Sequence, residues 1–255
     1  LSYTGLDSNN LNDEPFGTPA GAAAMSATTL VEYTNHFEKT DIVMQVDNVA
    51  DLAGGSVSIL LGMEKMENRY SAEFDKHSEN NLVGGSAGNS GFGNREVDSL
   101  FGEVLLPVMD NLEITASFRR DDYSDVGEAD SFKVGALWTP VAGTTLKLNF
   151  GEGFRAPTMD TLYGATSFSA STATDYAQCQ SVGTAFDDCS GRQYATLIKA
   201  NDQIGPEDSE SFTMSIEQDF GVLIDALDGL SVRFDYYDIT VNNAIASVST
   251  QDVLW

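Results

Sequence analysis

Period-two alternation of apolar and polar residues, sustained over stretches too long for an ordinary sheet, most narrows what this chain can become. In NLEITASFR, residues 111–119, Leu112, Ile114, Ala116 and Phe118 share one side of an extended backbone. Glu113, Thr115, Ser117 and Arg119 share the other. An amphipathic helix would instead repeat every 3.6 residues. The pattern returns at 131–138 (Phe132, Val134, Ala136, Trp138), 144–150 (Leu146, Leu148, Phe150), 211–220 (Phe212, Met214, Ile216, Phe220) and 229–236 (Leu230, Val232, Phe234, Tyr236). Weaker versions occupy 38–48, 56–66 and 96–106, making eight candidate strands. Each runs to about ten residues, close to the roughly nine to eleven of a membrane-barrel strand. Globular strands average about five or six.

The connections alternate too. Short ones fall at 50–54, 107–110, 140–143 and 221–228, and long polar ones at 67–95, 121–130 and 153–208. An antiparallel barrel with tight periplasmic turns and large external loops imposes this order. A Greek-key sandwich does not. Tyr123, Trp138, Tyr236 and Tyr237 fall near strand ends, where the aromatic girdles of a barrel lie. The sequence holds no apolar run of the length a transmembrane helix needs, but barrel strands carry only alternate apolar residues. The expected fold class is therefore all-β: an antiparallel transmembrane β-barrel section. Residues 1–37, rich in Asn, Gly, Ala, Ser and Thr, read as a loop-rich segment. Strands and loops of one incomplete barrel domain fill 38–255. The opening LSYTGLDSNN has neither the basic nor the apolar region of a signal peptide.

Thirteen basic residues face 39 acidic ones, a net charge of -26. Such a surface repels phosphate backbones, so no nucleic acid is expected as a partner. Arg119, Lys133, Lys147 and Glu217 all lie on the polar strand faces. Those faces point inward in a barrel; on the lipid face a midplane Arg or Lys costs about 2–4 kcal/mol. Cys179 and Cys189, in a polar stretch, read as a local disulfide of an oxidising compartment, with two free thiols as the alternative.

Reactive chemistry is thinly represented. GGSAG at 84–88 matches the hydrolase pattern G-x-S-x-G, but that elbow needs a strand before it and a helix after it. Here Asn and Gly flank it, so it reads as an external loop. His36 and His77 each stand apart from any second ligand cluster. Asp121, Asp122, Asp125, Glu128 and Asp130 could offer oxygens to Ca²⁺, but their spacing is not that of an EF-hand, and a solvated acidic loop is the expectation. No catalytic, cofactor or metal residue is assigned, and the chain does not read as an enzyme.

Five segments, in order, resemble the β-barrel of TonB-dependent outer-membrane receptors. EVLLPV at 103–108 is similar to the family's acidic-then-Leu-Pro strand and turn. RRDDYSDVG at 119–127 resembles its R-x-D-x-Y-S-D-x-G signature, with Arg119, Asp121, Tyr123, Ser124 and Gly127 on motif positions. KVGALWTP at 133–140 resembles the K-x-G-x-x-W-x-P that follows. Gly153, Phe154, Arg155, Ala156 and Pro157 match its G-F-R-A-P element, with Leu162 and Tyr163 as the L-Y tail. Pro206, Glu207 and Ser209 match the P-E-x-S that opens the next strand. The resemblance covers 96–220, and more loosely 38–95.

It implies a barrel of about 22 strands with a plugged lumen. It implies a receptor in the cell outer membrane of a Gram-negative bacterium, surrounded by outer-membrane lipid and lipopolysaccharide. Such receptors take up a scarce solute (siderophore-bound iron, cobalamin, haem or an oligosaccharide) with energy delivered by a TonB-type coupling protein through the plug. It also places the cysteine pair in a loop where many members carry a local disulfide. No plug, coupling box or terminal aromatic strand is recognised, so the chain is expected to be one section of a longer receptor. Arg155 could meet solute or plug at the barrel mouth, or pair with lumen carboxylates to fix the loop base; the second is the expectation. The rival readings are a passive outer-membrane channel and a secreted all-β binding module.

Overall fold

The computed structural model describes residues 28–80, 82, 86–183, 185 and 188–254. Most of the expected loop-rich segment, through residue 27, lies outside them. The first strand, β1, is Val31–Val46, so 31–37 are extended rather than loop. A small hairpin of β2 (Asp51–Leu52) and β3 (Gly55–Ser56) leads into β4 (Ser58–Phe74). After it come helix α1 (Lys76–Glu79), β5 (Ser86–Ala87) and β6 (Gly91–Met109). Then β7 (Leu112–Tyr123), β8 (Gly127–Trp138) and β9 (Thr144–Arg155) follow by short turns. The long connection after β9 holds α2 (Met159–Tyr163), β10 (Ser167–Ala173), α3 (Tyr176–Ser181) and β11 (Arg192–Ile198). The last strands, β12 (Glu207–Asp219) and β13 (Ser231–Asn242), precede α4 (Thr250–Val253).

The eight long strands form one antiparallel sheet in the order β1-β4-β6-β7-β8-β9-β12-β13. All eight expected strands are present, and several run well past their predicted ends. The sheet is open, with β1 and β13 as its edges. A second sheet, β11-β10-β5, joins two of the external loops. No helix among the described residues is long and apolar enough to cross a membrane, which says nothing of strands.

Register aligns the alternation into faces. Val46, Ile59, Val104, Ala116, Val134, Phe150 and Phe212 are successive cross-strand partners. So are Leu112, Trp138, Leu146, Ile216 and Phe234. These rows make a continuous apolar outward face, exposed or half-exposed as lipid-facing residues must be. Trp138 and Tyr236 belong to that face, whereas Tyr123 and Tyr237 have the opposite parity and do not join a lipid-side girdle.

One expected loop is not a loop. The polar stretch 121–130 is mostly strand, because β7 and β8 stay paired up to Tyr123 and Gly127 and close through three residues. Gly127 has φ +82°, a left-handed conformation that costs glycine nothing. Strong turn formers therefore cap the β7–β8 hairpin, and β6 stays paired with β7 as far as Tyr123.

Candidate functional site: the ion-paired inner wall and its folded loop

Strand parity sends Glu64, Ser99, Arg119 and Asp121 to the inward face, where register sets Ser99 opposite both Glu64 and Asp121. The Arg119 guanidinium binds three of them: Nε donates to Asp121 at 2.9 and 3.0 Å, and Nη2 reaches Glu64 at 3.0 Å and Ser99 at 2.9 Å. The Ser99 hydroxyl donates to Asp121. Lys39 closes the group with a 2.6 Å contact to Glu64. Asp121 and Ser99 are buried at 3% and 6% exposure, so their charge and hydroxyl depend on these partners. The Arg119 guanidinium also stacks on Phe101 at 5.5 Å.

A second cluster sits one step nearer the external end. Arg95 Nε donates to both carboxylate oxygens of Asp125, at 3.0 and 2.9 Å, with both side chains nearly fully buried. Its guanidinium lies 5.4 Å from the Tyr123 ring, and Tyr123 meets Phe154 edge-on at 5.9 Å.

The long loop folds onto this wall. Thr158 caps α2, its hydroxyl accepting from Thr161 N–H at 3.3 Å. From α2 and its end, Tyr163 donates to Asp125 at 3.1 Å, while Tyr70 on β4 donates to Asp160 at 2.9 Å. The Tyr163 ring lies against Gly93, where any Cβ would be 2.3 Å from the ring. Ala72, Val97, Pro157, Met159 and Leu162 are buried on these same elements. Burial first, then the bond to Asp125, pushes the Tyr163 hydroxyl pKa up.

At the loop base, Arg155 pairs with Glu207, its cross-strand partner, and Glu207 also accepts from Ile245 N–H at 2.5 Å. Arg155 stays 64% exposed in its side chain while Glu207 is at 10%. The G-F-R-A-P and P-E-x-S residues thus meet: Gly153 faces Ser209, Arg155 faces Glu207, Ala156 is half-buried and Pro157 is buried. Pro206 is half-buried just before β12. Ser124 accepts from Glu96 N–H at 3.0 Å and extends the β6–β7 pairing past the last ladder residue.

The five carboxylates of 121–130 are dispersed. Asp121 and Asp125 serve Arg119 and Arg95, while Glu128 and Asp130 contact Arg120 at 3.6 and 2.7 Å on the outward side. Among the described residues no group of three or more His, Cys, Asp or Glu is placed to hold a metal ion. Gly84 and Gly85 lie outside the described residues; His36 and His77 are exposed. Cys179 and Cys189 form a disulfide, with Cα atoms 5.9 Å apart.

Sequence reasoning missed Arg95, Gly93, Tyr70 and Asp160. Arg95 shares parity with Phe101 and Glu103, a signal readable only if β6 is run outward beyond its predicted start at 96. Nothing local marks Tyr70 and Asp160 as partners, because 90 residues separate them.

Comparisons with known proteins agree with this architecture. Among curated protein sequences, none matches the chain significantly. The chain is similar in structure to a mutant of the ferric enterobactin receptor PfeA from Pseudomonas aeruginosa, with TM-score 0.58, 18% identity, 81% of this chain and 27% of that one covered. The siderophore receptor PirA from Pseudomonas aeruginosa gives TM-score 0.53 at 15% identity, covering 84% and 33%. A chain of the RagAB peptide importer gives 0.51 at 14% identity, covering 84% and 24%. The chain spans between a quarter and a third of these proteins' lengths. At such identities the likeness shows the fold. Residues 1–254 match the sequence profile of the family described as TonB dependent receptor-like, beta-barrel, and the chain belongs to that family.

Proposed function

We propose that this chain is the barrel section of an outer-membrane receptor that takes up a scarce solute with energy from a TonB-type coupling protein. One observation carries the reading: a lipid-compatible outer face and an ion-paired inner wall share the same strands, and a long loop folds inward over that wall. Such an arrangement makes no covalent bond. It supplies a fixed polar wall and a shaped external mouth, and a plug carried elsewhere in the receptor would gate passage. Arg155 serves as the structural tie at the loop base, joining β9, β12 and the segment after β13. Among these solutes siderophore-bound iron has the best support, since PfeA is named a ferric enterobactin receptor and PirA a siderophore receptor.

The test is accumulation of radioactive iron, offered as ferric siderophores, by Gram-negative cells carrying the full-length receptor. Uptake that vanishes on removing the coupling protein supports the reading. Uptake that persists without it would make the protein a passive channel.

A further inference from the structure

At the end of the sheet away from the long loops, two neighbouring turns are apolar where a periplasmic turn would be polar. The β8–β9 turn holds Val141, and the β12–β13 turn at 221–228 holds Val222, Leu223 and Ile224; 60, 54, 57 and 52% of these residues' surfaces are exposed. The two turns touch. Asp219 N–H donates to the Gly143 carbonyl at 2.8 Å, and a Cβ on Gly143 would lie 3.2 Å from the Val222 Cβ. Beyond Ile224 the chain returns through exposed Leu230 to Val232, an outward residue of β13.

Position along the strands decides what covers this patch. Phe132 on β8, Phe212 on β12 and Tyr236 on β13 are the last outward apolar residues before the external end, and Asp130, Glu210 and Asp238 take the next positions on the same face. A strand crosses the hydrocarbon in about nine to eleven residues. Counted from those three residues, a crossing of about nine to eleven ends at 140–142, 220–222 and 226–228, which are the two turns themselves. They therefore lie at the inner boundary of the bilayer and not beyond it.

Backbone groups that approach hydrocarbon need partners within their own segment. Here Leu223 and Ile224 N–H donate to the Phe220 carbonyl at 3.1 and 2.9 Å, Leu227 to Ile224 at 2.8 Å, and Gly221 to the Asp219 carboxylate at 2.9 Å. Asp225 and Asp228, both exposed, follow the apolar arm, and neither turn carries a Lys or Arg.

We infer that these paired turns are seated in the inner leaflet, with Val141, Val222, Leu223 and Ile224 at the boundary of head groups and acyl chains, among lipids with zwitterionic heads. Apolar faces of interfacial segments sink about 5–10 Å into that boundary. Carboxylates without a neighbouring cation repel anionic heads, so a net-neutral head is the one that fits. The seat rests on the outer-membrane placement proposed above, and it fixes the height of this part of the barrel in the bilayer.

The experiment uses the full-length receptor in phosphatidylcholine nanodiscs, checked for the heat-modifiable migration of a folded barrel. Nitroxide labels are placed one at a time at Val141→Cys, Leu223→Cys, Asp228→Cys and Phe234→Cys, each in a receptor with no other free thiol. Relaxation by oxygen, which partitions into lipid, is compared with relaxation by a water-soluble nickel chelate. Oxygen should exceed nickel several-fold at 141 and 223, as at the lipid-facing control 234, and nickel should exceed oxygen at 228. Nickel dominating at 141 and 223 with oxygen dominating at 234 puts the turns in water and overturns the seat. Labels at 141 and 223 reached by neither reagent are covered by protein, which overturns it too. Nickel dominating at 234 as well refutes the membrane placement on which the seat rests. In phosphatidylglycerol nanodiscs the label at 223 should shift toward nickel while that at 234 stays put; identical readings in both lipids overturn the choice of head group.

Discussion

The ring of Tyr163 packs against Gly93, and its hydroxyl donates to Asp125, which also accepts from Arg95. One aromatic side chain thereby fastens the long external loop to β6 and to the β7–β8 turn. Adding a side chain at residue 93 must displace it. Gly93→Val should cost about 1–3 kcal/mol, as overpacking does. Tyr163→Phe, which removes a bond to a charged acceptor, should cost about 1.5–3 kcal/mol. In both variants, protease added outside intact cells should cut within 164–206 faster, while the barrel keeps its heat-modifiable migration. Unchanged cleavage in both would mean the loop is held by other contacts.

Arg119 neutralises two carboxylates at once, one of them almost fully buried. Breaking a buried pair by removing one partner costs about 3–5 kcal/mol. Since a third of the Arg119 side chain is exposed, Arg119→Ala should fall near the lower end, about 3 kcal/mol, in detergent denaturation of the full-length receptor. Arg119→Lys should recover only part of this, because one ammonium cannot span Glu64, Ser99 and Asp121 as the planar fork does.

Neighbouring residues on β12 should answer oppositely to charge. Met214 belongs to the outward row of Ala136, Leu148 and Tyr236, whereas Thr213 faces inward and accepts from Asn149 at 3.2 Å. Met214→Arg should destabilise the barrel by about 2–4 kcal/mol in lipid, and Thr213→Arg by less than about 1 kcal/mol. Comparable costs at both positions would contradict the assignment of faces.

Asp75 joins the start of β1 to α1: it accepts from Leu30 N–H at 2.9 Å and caps the helix through His77 and Ser78. The bond from the Leu30 backbone is the largest cause that pulls its carboxyl down to about 2 from an ordinary 3.8. A carboxyl depressed on folding stabilises the folded form above its unfolded pKa and loses that contribution as pH falls through the folded one. The junction should therefore hold at pH 5 and above and loosen between about pH 4 and 2. Amide exchange at Leu30, His77 and Ser78, corrected for intrinsic rates, should accelerate over that window. In Asp75→Ala the window should be absent.

The Cys179–Cys189 bridge closes a short loop that begins within α3, which carries Cys179. Loop-closure entropy gives such a bridge about 2–3 kcal/mol. Cys179→Ser with Cys189→Ser should raise amide exchange in α3 and leave the eight-stranded sheet's melting unchanged. A matching drop in barrel melting would show that the loop supports the wall more than its local contacts suggest.

Much of this protein could be read from its sequence because alternation is a local property. Leu112 to Phe118 declare their shared face by spacing alone, and the structure keeps that face outward across all eight strands. The cysteine pairing was legible for the same reason, its partners being close along the chain. The run 121–130 misled because its Asp, Ser and Gly suit a loop by composition, while long flanking strands held it extended and paired. What joins Arg119 to Glu64 and Tyr70 to Asp160 was decided only in the folded chain, across 55 and 90 residues. Spacing tells which way a side chain points. Which inward side chains meet depends on register and on where a long loop comes to rest, and both are settled by contacts between segments far apart in sequence.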